Sequence, residues 1–220
     1  KEAYILSGYF NLPKILELAL HDGKDPRTGR QLGPRTGRPS EFSSFDELMG
    51  AFRQQLHHFI EIKVRGNNVI EQLYARYMPA PFLSLLVDDC IARGLDYHDG
   101  GARYNTTYIQ GVGIGTITDS LSAIKRHVFD GRQIGMDDLL AALDANFAGH
   151  ERLRARLRDD TPRYGNDDDD ADSIMKSVFH AFFGEVDGRP NTKGGRYCID
   201  MLPTTCHVYF GSVTQATPDG

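Results

Sequence analysis

Cysteine is scarce in this 220-residue chain: Cys90, Cys198 and Cys206 are the only three. They form no Cys-x-x-Cys and an odd number cannot all pair with one another, so a disulfide-stapled scaffold is excluded and a reduced compartment, the cytosol, is the simpler reading. Long apolar runs are missing too. None approaches the roughly 18–20 residues that cross a bilayer, and Lys1-Glu2 opens no basic stretch followed by an apolar one, so neither insertion nor secretion is signalled. Nor is there a surplus of positive charge. The 25 Lys and Arg stand against 30 Asp and Glu, a net charge of −5, which leaves no broad footprint for nucleic acid, only a local cluster of Arg27, Arg30, Arg35 and Arg38. What is present, 40% hydrophobic residues with 10 Tyr and 12 Phe, suffices for one sizeable domain or two small ones and argues against disorder.

Helix signals dominate. Asn11 precedes an apolar run, Leu12 to Leu20, with Pro13 early in it and Gly23 beyond, which predicts a capped helix of about three turns. From Gly23 to Ser43 the tandem Pro26-Arg27-Thr28-Gly29-Arg30 and Pro34-Arg35-Thr36-Gly37-Arg38 predicts a surface loop. Ser44-Phe45-Asp46-Glu47 reads as a capping box, after which Phe45, Leu48, Met49, Phe52, Leu56, Phe59 and Ile60 recur at helical spacing. That helix is expected to run past Lys63, with Gly66-Asn67-Asn68 as a weak point, until Pro79 and Pro81. A second, Phe82 to Arg93, closes at Gly94. Tyr97 to Thr118, rich in glycine and interleaved polar and aromatic residues, suits a loop or short strand. Helices are then expected over Asp119–Phe129, Met136–Phe147 and His150–Arg158, and another opens at the acidic run Asp167 to Asp170. Tyr197–Leu202 and Cys206–Phe210, broken by Pro203, read as strands.

Local chemistry is thin. Gly111-Val112-Gly113-Ile114-Gly115 precedes a helix whose expected caps are Thr118 and Asp119, but its spacing fits neither the dinucleotide nor the P-loop fingerprint, so close backbone approach at a turn is the better reading. The aspartate run lacks the alternation and distal Glu of a calcium loop, and acidic residues suit a helix N-terminus. The histidines show no metal-ligand spacing; His207, in an apolar run, is the one whose surroundings invite a role. Cys198 and Cys206 have no cationic neighbour to form a thiolate and read as inert.

Three stretches, in order along the whole chain, resemble the glycyl radical enzymes of the pyruvate formate-lyase superfamily. They are Gly8-Tyr9-Phe10-Asn11-Leu12-Pro13-Lys14-Ile15-Leu16-Glu17; then Gly100-Gly101-Ala102-Arg103-Tyr104-Asn105-Thr106 with Gln110-Gly111-Val112-Gly113 and Asp119-Ser120-Leu121; and finally Asn191-Thr192-Lys193-Gly194-Gly195 with Leu202-Pro203-Thr204-Thr205, Val208 to Ser212 and Ala216 to Gly220. The wording is nearest to the dehydratase branch acting on trans-4-hydroxy-L-proline, then to the glycerol and diol dehydratases.

The resemblance implies an α/β fold, a helix-rich section of a ten-stranded barrel, enclosing a radical stored on a backbone glycine and relayed through a cysteine thiyl, with a Glu assisting as hydroxyl leaves. The Gly-Cys-x-Glu loop and the radical glycine of that family are not among these residues, so no catalytic residue is assigned. The chain is expected to be an interior portion of a longer barrel enzyme, inactive alone. Tyr9 and Thr204 fall where the resemblance implies substrate contact, and of His207/Tyr209 and Val208/Phe210 one pair should face the barrel interior. The implied whole is a cytosolic anaerobic lyase and homo-oligomer. It carries a glycyl radical installed by a radical-SAM activating enzyme, acts on a small hydroxylated metabolite, and binds neither metal, nucleic acid nor membrane. A C–C or C–N lyase of the same superfamily, or a non-catalytic binding subunit, are the alternatives.

Overall fold

The computed structural model describes residues 2–202 and 205–220. In chain order its elements are β1 (Glu2–Asn11), α1 (Leu12–Ala19), a 3-10 turn (Pro39–Glu41), α2 (Phe45–Tyr77), the single turns α3 (Pro81–Ser84) and α4 (Cys90–Arg93), a second 3-10 turn (Tyr97–Asp99), β2 (Tyr104–Val112), α5 (Ile114–Ile124), a π turn (Lys125–Asp130), α6 (Met136–Asp144), α7 (Glu151–Asp159), α8 (Asp169–Val186), β3 (Arg196–Asp200) and α9 (Cys206–Val213). Within the described residues, 2–10, 59–111 and 182–202 form one compact unit and 11–58, 112–181 and 205–220 a second. No helix among the described residues is long and apolar enough to cross a membrane.

The first unit is built on a sheet of order β1-β2-β3. β2 and β3 are parallel, with Thr107 opposite Tyr197, Tyr108 opposite Cys198 and Gln110 opposite Asp200. Asn105, Thr107 and Ile109 are buried while Tyr104 is exposed and Thr106 and Tyr108 are half-buried, the period of two that appears when one face of a sheet is packed. The packed face meets α2, whose Ile60, Val64, Asn67 and Glu71 are buried at helical spacing. Gly66-Asn67-Asn68 does not interrupt that helix. Asparagine weakens a helix when its amide turns back on the local backbone; here Asn67 Nδ2 donates to Ser7 Oγ at 2.7 Å and Asn68 Oδ1 accepts from the Tyr197 hydroxyl at 2.8 Å.

Two expectations fail in this unit. β1 has no counterpart in the sequence reading. The helix expected over Phe82–Arg93 is two single turns, because Asp89 between them takes φ +77° and its carboxylate is held by Arg103 through Nε at 3.0 Å and Nη2 at 2.9 Å. Gly94 ends α4 at φ +64°, as expected.

The interior of the unit is polar at one point. The Glu71 carboxylate accepts from Lys193 Nζ and Thr107 Oγ1 on one oxygen and from Thr192 Oγ1, at 2.8 Å, on the other. The Lys193 and Glu71 side chains are only 2% and 6% exposed. Lys193 Nζ also donates to Thr107 Oγ1 at 2.9 Å, and Asn191 Nδ2 donates to the same hydroxyl at 3.0 Å. Asn191 further donates to the Asn105 carbonyl at 2.9 Å and accepts the N–H groups of Lys193, at 3.0 Å, and Gly195, at 2.8 Å. At Gly195 a Cβ would lie 1.6 Å from the Asn105 carbonyl oxygen, so glycine alone fits this crossing. Beside the pair is a cavity of about 300 Å³ lined by Ile5, Leu6, Ile70, Tyr74 and His98 among others.

In the second unit Leu12, Leu48, Phe52, Leu56, Ile117, Leu121 and Leu139 are fully buried. α1 starts as expected: Asn11 Oδ1 accepts the Lys14 N–H at 3.3 Å. The capping box at α2 is shifted by one residue on its return arm, with Ser44 Oγ accepting the Glu47 N–H at 3.3 Å while Glu47 takes the Ser43 N–H at 2.8 Å. α5 begins at Ile114 rather than Asp119. Gly113, at φ +90°, precedes it, and a Cβ there would meet Pro13 at 2.6 Å; Thr118 is buried rather than a cap. Asp168 caps α8 by accepting the N–H groups of Asp170 and Ala171 at 3.0 and 3.1 Å. Within 23–43, Lys24 and Gln31 form an isolated bridge, and Asp22 Oδ1 accepts the N–H groups of Thr36 and Gly37 at 2.6 and 2.9 Å.

Residues 206–210 are helical, not a strand, so His207 and Tyr209 do not alternate with Val208 and Phe210 across a sheet. The β-branched and aromatic composition is overridden by tertiary ties at the end of α9. Lys14 Nζ donates to the Val213 carbonyl at 3.0 Å, Asn11 Nδ2 to Thr214 Oγ1 at 3.0 Å, and the Gln215 N–H to Glu17 at 2.6 Å. The same Lys14 pairs with Glu17 and, at 2.7 Å, with Asp25.

Lys193→Met, measured by urea unfolding of the intact polypeptide, is expected to cost about 3–5 kcal/mol, because it leaves a buried carboxylate without its cation. A second expectation concerns pH. Burial raises the Glu71 carboxyl, but Lys193 and the hydroxyl donors outweigh it and hold it below its ordinary value of 4.5. Its stabilisation is therefore complete above that pH and is lost as pH falls below it through the folded value. The urea midpoint of the parent should drop on acidification over this range more steeply than that of Glu71→Gln.

Candidate functional site

The sheet of the first unit has two unlike faces. Thr107, Ile109 and Tyr197 point to the helices, as does Gly111, where a Cβ would lie 2.9 Å from the Phe182 ring. Phe10 stacks on the same Phe182 at 5.7 Å between ring centroids, so Tyr9, its neighbour on β1, points to the opposite side. That opposite side carries Thr106, Tyr108 and Gln110 from β2 and Cys198 and Asp200 from β3. Tyr9 is 42% exposed there.

Open α/β sheets bind ligands beyond the carboxyl ends of their parallel strands; on this face Gln110 and Asp200 stand toward that end, Tyr108 in mid-strand and Thr106 toward the amino end. Gln110 is buried and its Nε2 donates to the Leu202 carbonyl, which fixes the chain where it leaves β3. Glu2 accepts a hydrogen bond from Thr106 Oγ1. Burial, then the carboxylate of Glu2, pushes the Tyr108 phenol up, so its hydroxyl stays protonated. Burial and the neighbouring Asp187 carboxylate push the Cys198 thiol up as well. The face therefore offers hydroxyl, amide and protonated thiol groups beside the carboxyl groups of Glu2 and Asp200, and no thiolate nucleophile. It is equipped to hold and orient a small polar molecule.

Of the two substrate contacts expected from the sequence, Tyr9 is on this face and Thr204 lies outside the described residues, as does Pro203. Cys90 is buried, and burial with Asp96 nearby raises its thiol. Cys206 and His207 are on α9, so His207 does not occupy the apolar strand expected for it. The glycines at 111 and 113 have their Cβ space filled by Phe182 and Pro13. Among the described residues no three His, Cys, Asp or Glu side chains gather as a metal site would require. Sequence reading missed Gln110 and Tyr108 as members of the face; the period-two alternation of 104–110 was the available signal. It also missed Glu71 with Lys193, which are 122 positions apart and carry no local signature.

The model of a family described as pyruvate formate lyase-like matches residues 1–211. The trans-4-hydroxy-L-proline dehydratase of Clostridioides difficile is 58% identical over 220 residues, all of this chain and 28% of that protein. A crystal structure of hydroxyproline dehydratase from the same organism, with trans-4-hydroxy-L-proline bound, matches with a TM-score of 0.98 at 58% identity, covering 100% of this chain and 28% of that one. The glycerol-bound form of the B12-independent glycerol dehydratase from Clostridium butyricum matches with a TM-score of 0.91 at 39% identity, covering 96% of this chain and 26% of that one. The chain thus spans little more than a quarter of the length of these relatives. With nearly its whole length matched and its sheet and helices superposing on theirs, the chain belongs to the pyruvate formate lyase-like family.

Proposed function

We propose that these residues are part of the barrel domain of a cytoplasmic glycyl radical dehydratase, a carbon–oxygen lyase that eliminates water from trans-4-hydroxy-L-proline. The observation that carries the reading is the 58% identity and 0.98 TM-score over the full 220 residues to a protein whose structure holds that substrate. The character of the open sheet face supports it: hydrogen-bonding hydroxyl, amide and carboxyl groups suit a hydroxylated amino acid, and an elimination needs orientation more than a nucleophile from this wall.

In this reading Tyr9 and Thr204 touch the substrate. The thiyl cysteine, the assisting Glu and the radical glycine come from polypeptide outside residues 1–220, and a radical-SAM enzyme installs the radical. The radical group supplies hydrogen-atom abstraction when present. The residues of this chain bind and orient the substrate and keep water from it, so residues 1–220 alone are inactive. The whole protein is a homo-oligomer.

The test is an anaerobic assay of the intact protein after activation, with radical content read by electron paramagnetic resonance. Water loss from trans-4-hydroxy-L-proline is expected with kcat/KM at least about tenfold above that for glycerol or 1,2-propanediol. Preference for a diol would move the assignment to that branch. An activated protein that dehydrates none of them would overturn the proposal.

A further inference from the structure

β1 is kinked just before Tyr9. Gly8 has φ +135°, an angle that favours glycine, and a Cβ there would lie 2.4 Å from Lys63 Nζ. Lys63 comes from α2 and is half-buried; its ammonium donates to the Ser7 carbonyl at 3.0 Å. One turn further along the helix, buried Asn67 donates to Ser7 Oγ at 2.7 Å, and Ser7 Oγ donates to the Tyr108 carbonyl at 2.9 Å. Three hydrogen bonds thus fix the backbone and side chain of the residue before the kink. On the far side Phe10 is fixed by its stack on Phe182. Tyr9 lies between two pinned residues while its own side chain is exposed on the open face.

Desolvating an ammonium is costly. Burial pulls the Lys63 pKa down, and the hydrogen bond its ammonium makes to the strand is to a backbone carbonyl. Packing alone would be served as well by methionine, which has a similar stem and no charge. A donor is needed only if the position of that carbonyl matters.

We propose that Lys63 and Asn67 are positioning residues: by holding Ser7 they set the Gly8 kink that aims the Tyr9 hydroxyl at the substrate. They act through Tyr9 and touch no substrate themselves. The inference rests on the reading above that Tyr9 is a substrate contact.

A double-mutant cycle in the intact, activated protein tests it, with KM and kcat for trans-4-hydroxy-L-proline, radical content and thermal midpoint recorded for each variant. Tyr9→Phe and Lys63→Met are each expected to raise KM roughly three- to tenfold, the worth of one lost hydrogen bond, with radical content unchanged. The double variant should be no worse than Tyr9→Phe alone. Lys63→Gln, which keeps an N–H donor, should recover most of the loss. If Lys63→Met does not fold, Ser7→Ala enters the same cycle, since it removes one hydroxyl and leaves the charge. A KM effect of Lys63→Met, or of Ser7→Ala in its place, that multiplies in full with that of Tyr9→Phe overturns the positioning role and leaves the reading of Tyr9 standing. No KM effect of Tyr9→Phe sinks both.

Discussion

The first unit depends on one buried ion pair. Glu71 and Lys193 are almost wholly removed from water, and in that position two charges cost more to desolvate than their attraction returns unless their remaining hydrogen-bonding capacity is also met. Here it is met by Thr107 from the central strand and Thr192 from the loop before β3. The cluster therefore joins α2, β2 and the 191–195 loop at a single point. Its effect is on register more than on net stability. A slip of one residue in β3 would turn Cys198 toward α2 and Tyr197 to the open face; with Lys193 held on Glu71 and Gly195 pressed against the Asn105 carbonyl, that slip is blocked. Which side chains line the candidate site is thus decided on the far side of the sheet.

The second unit repeats the device with Lys14, whose ammonium gathers Glu17, Asp25 and the Val213 carbonyl. The stretches that carry the family resemblance coincide with these networks: Asn11, Lys14 and Glu17 in the first, Asn105 in the second, Asn191 to Gly195 in the third. Buried polar groups that satisfy one another accept few substitutes, so these stretches specify architecture. They speak less directly about which hydroxyl-bearing molecule is bound, because the side chains that face it are a small set drawn from alternate strand positions.

Helices were legible in the sequence where caps and apolar spacing agreed, as at Asn11, Ser44 and Asp168; Gly66-Asn67-Asn68, expected as a weak point, lies inside a continuous α2 because Asn67 and Asn68 bond to the sheet instead of the local backbone. Reading failed where distant partners decide. Cys206 to Phe210 has strand-forming residues, yet Lys14 and Asn11, nearly 200 positions earlier, hold its end as a helix. Asp89 breaks a good helical pattern because Arg103 grips it. β1 was missed because Gly8 interrupts its pattern, and its pairing in the sheet and the bonds of Lys63 and Asn67 to Ser7 appear only in three dimensions. Tyr9 was named only through the resemblance, and its role as a substrate contact remains the proposal. Tyr108, Gln110 and the Glu71–Lys193 pair needed the sheet register, which no local pattern contains.

The sheet has a structural face, held by Glu71 and Lys193, and an open face carrying Tyr9, Tyr108 and Gln110 that is proposed to meet the substrate. A crystal structure of the intact protein with trans-4-hydroxy-L-proline tests it most directly. The ligand is expected on the Tyr9 face beyond the carboxyl ends of β2 and β3, with the tyrosine hydroxyl within about 3.2 Å of a ligand polar atom and the Glu71–Lys193 pair untouched. A ligand seated on the helix side, in the cavity lined by Ile5, Ile70 and Tyr74, would contradict it.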